Sequence, residues 1–177
     1  MRKRAAISAV VLAVVPTLTP TSSAVAGAAV PDRLLSLDIT VPSGSVSLGH
    51  GGPGSVLEGA LGQVTVADTR LGITSNWTAS VHATDFTGGG RTISVSNVAY
   101  WSGPAVVAQG GGIFTPGQAT RAARMTLGGS GAPVTAFSHS GGLLTGSTGA
   151  WNPQLVVSVP FSTQNGDYRG TVTHSVV

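Results

Sequence analysis

The chain has 177 residues, nine Lys+Arg, six Asp+Glu and no cysteine, which fits one domain or at most two small ones. Its formal charge of +3 resides in Arg2, Lys3 and Arg4: from Gly27 onward Arg33, Arg70, Arg91, Arg121, Arg124 and Arg169 balance Asp32, Asp38, Glu58, Asp68, Asp85 and Asp167. That stretch has no basic face for phosphates, so nucleic-acid binding is not expected, and the lack of cysteine excludes disulfides, thiolate catalysis and thiolate zinc sites.

The positive start and the eleven-residue, predominantly apolar run 5–15 have the layout of a secretion leader. Pro16 ends the run, a polar stretch follows, and Ala24-Val25-Ala26 offers a small-x-small cleavage pattern before Gly27, with Ala28 as second choice. A run of eleven spans only about half of a ~30 Å hydrocarbon core, so no integral membrane anchor is expected after cleavage. The expectation is a signal peptide at 1–26 and a single secreted domain at 27–177. Such a domain must hold by its core alone, which about 150 residues can do.

Glycine and proline (26 and 10 residues) with twenty Ser and twenty Thr disfavour helices and suit pleated surfaces. Period-2 alternation recurs along the chain. Leu35, Leu37, Ile39 and Val41 share a face until Pro42-Ser43-Gly44, and residues 49–54 form a glycine loop. Val64 and Val66 alternate with polar or small residues. Trp77, Ala79, Val81 and Ala83 share a face that ends before the turn Gly88-Gly89-Gly90. Ile93 and Val95 begin a strand that shifts face near Asn97 into Val98, Tyr100 and Trp101. Residues 105–108 read as a strand, and 122–127 as a strand or a short helix. Leu155, Val157 and Val159 share a face with Trp151, and Tyr168, Gly170, Val172, His174 and Val176 form the last apolar face. Many short strands at this spacing predict an all-β antiparallel sandwich of immunoglobulin-like type.

The histidines show no metal-ligand spacing, so no metal or cofactor is expected; His50, His82 and His139 read as solvated, and His174 as a hydrogen-bonded core residue. Scattered serines, histidines and aspartates supply the parts of a Ser-His-Asp triad, yet no G-x-S-x-G elbow occurs and Gly128-Gly129-Ser130-Gly131 reads as a loop. Glu58 is the one glutamate, which leaves paired-carboxylate glycosidase chemistry poorly supplied. Gly51-Gly52-Pro53-Gly54-Ser55 lacks the lysine of a phosphate loop, and Asn76-Trp77-Thr78 is a glycosylation sequon of little weight behind a leader of bacterial character. No catalytic residue is therefore assigned. Trp77, Trp151 and Tyr168 fall on apolar faces, whereas adjacent Tyr100 and Trp101 must point opposite ways. One of that pair reaches the surface, which makes Tyr100 and Trp101 the candidate ligand-binding positions.

Two stretches resemble the motifs of the WxL cell-surface domain family. Asp68-Thr-Arg70 followed by Trp77-Thr-Ala79 resembles the proximal motif, with Ala79 in place of its leucine. Tyr168, Val172, Thr173, His174 and Val176 resemble the distal motif, with His174 and Val176 in place of its tryptophan and leucine. The resemblance spans about 35–176 and implies a secreted β-sandwich held non-covalently on the Gram-positive cell wall through peptidoglycan, with a cell-wall glycan or another surface protein as partner. The motif positions Asp68, Arg70, Trp77, Tyr168, Val172, His174 and Val176 are expected to serve structure rather than contact. Two rival readings are a surface-assembly or adhesin-like subunit joined through sheet edges, and an extracellular hydrolase with a scattered triad.

Overall fold

The computed structural model describes residues 6–11, 36–70, 75–128, 132–142 and 146–177, with 6–11 as backbone alone. In chain order the strands are β1 (Ala6–Val11), β2 (Leu37–Thr40), β3 (Gly44–His50), β4 (Val56–Ala60), β5 (Val64–Asp68), β6 (Trp77–Ala83), β7 (Phe86–Gly88) and β8 (Arg91–Ile93). They continue with β9 (Val98–Trp101), β10 (Ala105–Gln109), β11 (Ile113–Pro116), β12 (Met125–Thr126), β13 (Val134–Ser140), β14 (Ser147–Trp151), β15 (Gln154–Ser158) and β16 (Asp167–Val176). The expected all-β antiparallel sandwich is the fold. The expected leader's other residues and its cleavage positions, Leu35, and the glycine-rich 129–131 lie outside the described residues.

One layer has the order β11-β13-β6-β16-β1-β3, with the β7–β8 hairpin attached to β16. Every pairing in it is antiparallel except β1 with β16. The other layer comprises the sheets β10-β14-β5-β2 and β12-β9-β15-β4. The same three stretches of chain supply both in the same order: β9 leads to β10, β15 follows β14, and β5 follows β4. The two are halves of one sheet bent across a common row, at 102–104, 152–153 and 61–63. Leu61 N–H donates to Pro153 O across this bend at 2.8 Å. Gly62 makes the turn with φ +89°, and a Cβ there would press into the Pro42 ring at 2.6 Å, so the position demands glycine on both counts.

Alternation sets which side chains meet between the layers. Trp77, Ala79 and Val81 on β6 are buried, as are Tyr168, Gly170, Val172 and His174 on β16. Phe137 stacks on Trp151 at 4.9 Å between ring centroids, which joins β13 to β14 across the sandwich, and Trp77 lies 6.3 Å from Phe137. Trp77 reaches the opposite layer over Gly149, where a Cβ would sit a tight 3.0 Å from the indole.

Local expectations are corrected at three places. Residues 93–98 are not one strand. Asp85 Oδ1 accepts from Val95 N–H at 2.7 Å and Ser94 Oγ caps Ser96 N–H, which winds Val95–Asn97 into a 3-10 turn before β9 begins. Residues 122–127 divide between a 3-10 turn at Arg121–Ala123 and the short β12. The strand β3 extends to His50, so the loop there is shorter than expected.

Candidate functional site

The outer face of the β9–β15–β4 sheet holds the surface arrangement with the clearest chemistry. Register places Gln154 between Trp101 and Ala60 in one cross-strand row, and Val156 between Ala99 and Glu58 in the next. Trp101 Nε1–H donates to Glu58 Oε1 at 3.2 Å. These residues sit two strands apart, and neighbouring strands are about 4.8 Å apart. To make that bond the indole must reach across β15 on the outer face of the sheet. Val156 points to this outer face yet is only 4% exposed, as expected beneath such a cover. Arg121, from the 3-10 turn, donates through Nε to Glu58 Oε2 at 2.7 Å. The result is a half-buried aromatic plate edged by a carboxylate, a guanidinium and the Gln154 amide.

Tyr100, the other candidate contact residue, is corrected: it points inward and is fully buried. Trp151 Nε1–H donates to the Tyr100 hydroxyl at 3.0 Å, and that hydroxyl lies 3.1 Å from His174 Nε2. The Tyr100 hydroxyl thus links the Trp151 N–H to His174 Nε2, while His174 Nδ1 is buried without a partner. Burial pushes the Tyr100 hydroxyl far above its ordinary range, an effect the Trp151 N–H offsets in part. Burial, with a smaller contribution from His82, pulls the His174 ring down to about 4. His174 is thus the hydrogen-bonded core histidine expected, and at 1% exposure it touches no surface ligand.

The proximal motif residues form a second cluster, with Asp68 and Trp77 buried and Arg70 at the surface. Arg70 donates through Nε to Asp68 Oδ1 at 2.9 Å and through Nη2 to Oδ2 at 3.0 Å; Nη2 also reaches Asn76 O at 2.9 Å. The guanidinium fork therefore ties the end of β5 to the start of β6 and delivers Trp77 into the core. Burial alone would raise the Asp68 carboxyl, but hydrogen bonds from Arg70 and Ser75 outweigh it and hold it below the ordinary carboxylate value. Ser75 Oγ donates to Asp68 Oδ2 at 2.7 Å and lies 3.1 Å from Ser147 Oγ, which accepts from Trp77 Nε1–H at 3.0 Å.

His139, expected in solvent, is instead 2% exposed, with Nε2 2.8 Å from Gly111 O and Nδ1 3.5 Å from Ser147 Oγ. Its ring is tilted against Phe114 and stacked near Trp77, which removes it from water despite the serines flanking it. The cluster contains Ser, His and Asp, but Asp68 holds Arg70 and Ser75 rather than His139, and Ser147 is 2% exposed. These three residues do not make a triad open to a substrate carbonyl.

The distal motif lies along β16 beside the proximal one. Ala79 and Val176, which stand where the resembled motifs carry leucine, are direct cross-strand partners, and His174 stands opposite Val81. Tyr168 is buried and donates its hydroxyl to Gln164 O at 2.9 Å, which fastens the turn before β16. Val172 is fully buried and Val176 partly so.

Sequence reasoning missed Glu58 and Arg121. Glu58 as the one glutamate was a signal; its role beside Trp101 depends on a pairing across 43 residues. Fold and site together define an all-β sandwich with a polar-edged aromatic plate on one outer face. No protein family and no curated protein matches the chain.

Proposed function

We propose that the chain is a secreted, non-enzymatic binding module of the cell envelope that holds non-covalently to the Gram-positive cell wall through peptidoglycan, a divergent relative of the WxL cell-surface domain. The observation that carries this reading is the half-buried Trp101 indole reaching across β15 on the outer face, with its nitrogen anchored on Glu58. A partly exposed indole suits the axial C–H groups of a sugar ring, because the π cloud is negative on the ring's faces. Glu58, Arg121 and Gln154 at its edges supply donors and acceptors for hydroxyls and amides, as a polar uncharged glycan requires. The leader and the charge balance of residues 27–177 support an extracellular setting without nucleic acid.

The test is co-sedimentation of protein recovered from culture medium with washed cell walls and with purified peptidoglycan, against chitin and an unrelated secreted sandwich. Saturable retention on peptidoglycan is the expected result. Equal behaviour on all matrices would overturn the reading.

A surface-assembly or adhesin-like role is the second reading. It is favoured by the two edge strands at one side of the sandwich, β10 and β11, which carry Val106 and Ile113 at 58% and 68% exposure. Concentration-dependent polymers in light scattering, without retention on walls, are what it predicts.

A further inference from the structure

The strand β1 occupies an unusual place. It is not at an edge but between β16 and β3, parallel to the first and antiparallel to the second. Its residues are the apolar part of the expected leader. Removal of that leader would take a strand out of the middle of a sheet and leave two facing edges, Asp167 to Val172 on one side and Gly44 to His50 on the other, about two strand spacings apart. Unpaired edges of this kind are templates for another strand.

We propose that this slot is an acceptor for a β-strand supplied by another protein of the cell surface once the leader has been removed. The proposal rests on the secretion reading of residues 1–26 and is independent of sugar binding at Trp101. The structure shows what chemistry the slot takes, because it holds such a strand. Ile7, Ala9 and Val11 stand opposite Tyr168, Gly170 and Val172, the buried members of β16, while Ala6, Ser8 and Val10 stand opposite Asp167, Arg169 and Thr171. On the other wall Ser8 pairs with Ser47, Ala9 with Val46 and Val10 with Ser45. The occupant is therefore an uncharged extended segment that runs parallel to β16. It carries aliphatic residues at alternate positions and a small one at the middle, where Val46 and Gly170 flank it. Main-chain hydrogen bonds on both sides give such a segment its affinity, and the alternate aliphatic positions give it selectivity.

The experiment uses the complete chain secreted by an expressing bacterium, with its N-terminus read by mass spectrometry. The probe is a synthetic peptide of Ala6–Val11 with a lysine tail for solubility, and its control is the same peptide with Ala9→Pro, which cannot complete the ladder. Added at ten times its Kd, the probe slows amide exchange of residues 167–172 and 44–50 by roughly tenfold and raises the Tm, and the proline peptide does neither. Two results would overturn the proposal. Equal, null effects of both peptides on the processed protein would show that the slot accepts no strand. A secreted protein that still carries residues 1–11 would show that the slot never opens; that result would count against leader removal and leave the Trp101 reading intact.

Discussion

Trp101 and Glu58 are joined by a 3.2 Å hydrogen bond that passes over an intervening strand, and this bond anchors the nitrogen edge of the indole on the outer face of the sheet. Carboxylate and indole are both on the surface, so the bond adds little to folding; exposed polar pairs of this kind contribute about 0–1 kcal/mol. Glu58→Ala is accordingly expected to leave the Tm nearly unchanged while weakening peptidoglycan retention several-fold, because the plate loses its anchor. Binding isotherms and thermal melts of the same preparations check both halves of this expectation.

The buried chain Trp151–Tyr100–His174 makes the opposite forecast. Tyr100→Phe leaves the Trp151 N–H and His174 Nε2 without partners inside the core. Each buried group so orphaned costs about 1–3 kcal/mol. Urea unfolding should register a loss in that range or above it, with wall retention preserved at temperatures where the variant is folded. Retention lost without loss of stability would return Tyr100 to the list of contact residues.

Stability should depend on pH through His174. Its folded value of about 4 lies below its ordinary value of 6.5, so the unfolded chain takes up this proton first. The contribution of neutral His174 is complete above pH 6.5, declines as pH falls toward 4, and is gone below it, a loss of about 3 kcal/mol. Asp68, held below its ordinary 3.8, acts in the same direction at lower pH: its stabilisation is present above that value and is lost as acid protonates the carboxylate. Unfolding free energies measured from pH 7 to pH 3 should therefore fall in two stages. His174→Gln removes the first stage and keeps the second.

Arg70 and Asp68 are unequal partners. The Asp68 side chain has no exposure, whereas that of Arg70 is 43% exposed. Arg70→Ala leaves the buried carboxylate with only the Ser75 hydroxyl and the backbone N–H of residue 70 as donors, so the loss approaches the range of about 3–5 kcal/mol typical of a fully stranded buried charge. Asp68→Asn leaves a guanidinium that water can reach, so it should cost less. Chemical denaturation of the two variants tests the order, and Asp68→Asn as the costlier change would contradict it.

Trp77 is 2% exposed, and its ring is packed against Phe137, Phe114 and His139. Trp77→Ala should cost about 3–5 kcal/mol. An unchanged Tm would contradict the inward placement of this face.

The strands with clean alternation were legible because burial on one side writes itself into every second residue, as in Trp77, Ala79 and Val81 or Tyr168, Val172 and His174. The strand β4 was not, since Glu58 and Gly59 interrupt its apolar pattern: one answers to Trp101 and the other packs against Leu48, whose side chain would lie 2.9 Å from a Cβ at Gly59. The bent sheet was hidden for a similar reason, because its hinge row combines 61–63, 102–104 and 152–153. His139 looked solvated between serines because its partner, the Gly111 carbonyl, lies 28 residues away. At the site, opposite orientation of adjacent strand residues showed that Tyr100 and Trp101 must part, but not that Trp101 would be anchored by a carboxylate two strands away.

The most direct test of the central claim is a peptidoglycan binding isotherm for the purified protein and its Trp101→Ala variant, each with a melting curve. The account predicts saturable binding that Trp101→Ala weakens at least about tenfold, roughly 1.4 kcal/mol, while the variant still melts cooperatively. Binding that survives loss of the indole unchanged, or no saturable binding by the unaltered protein, would contradict it.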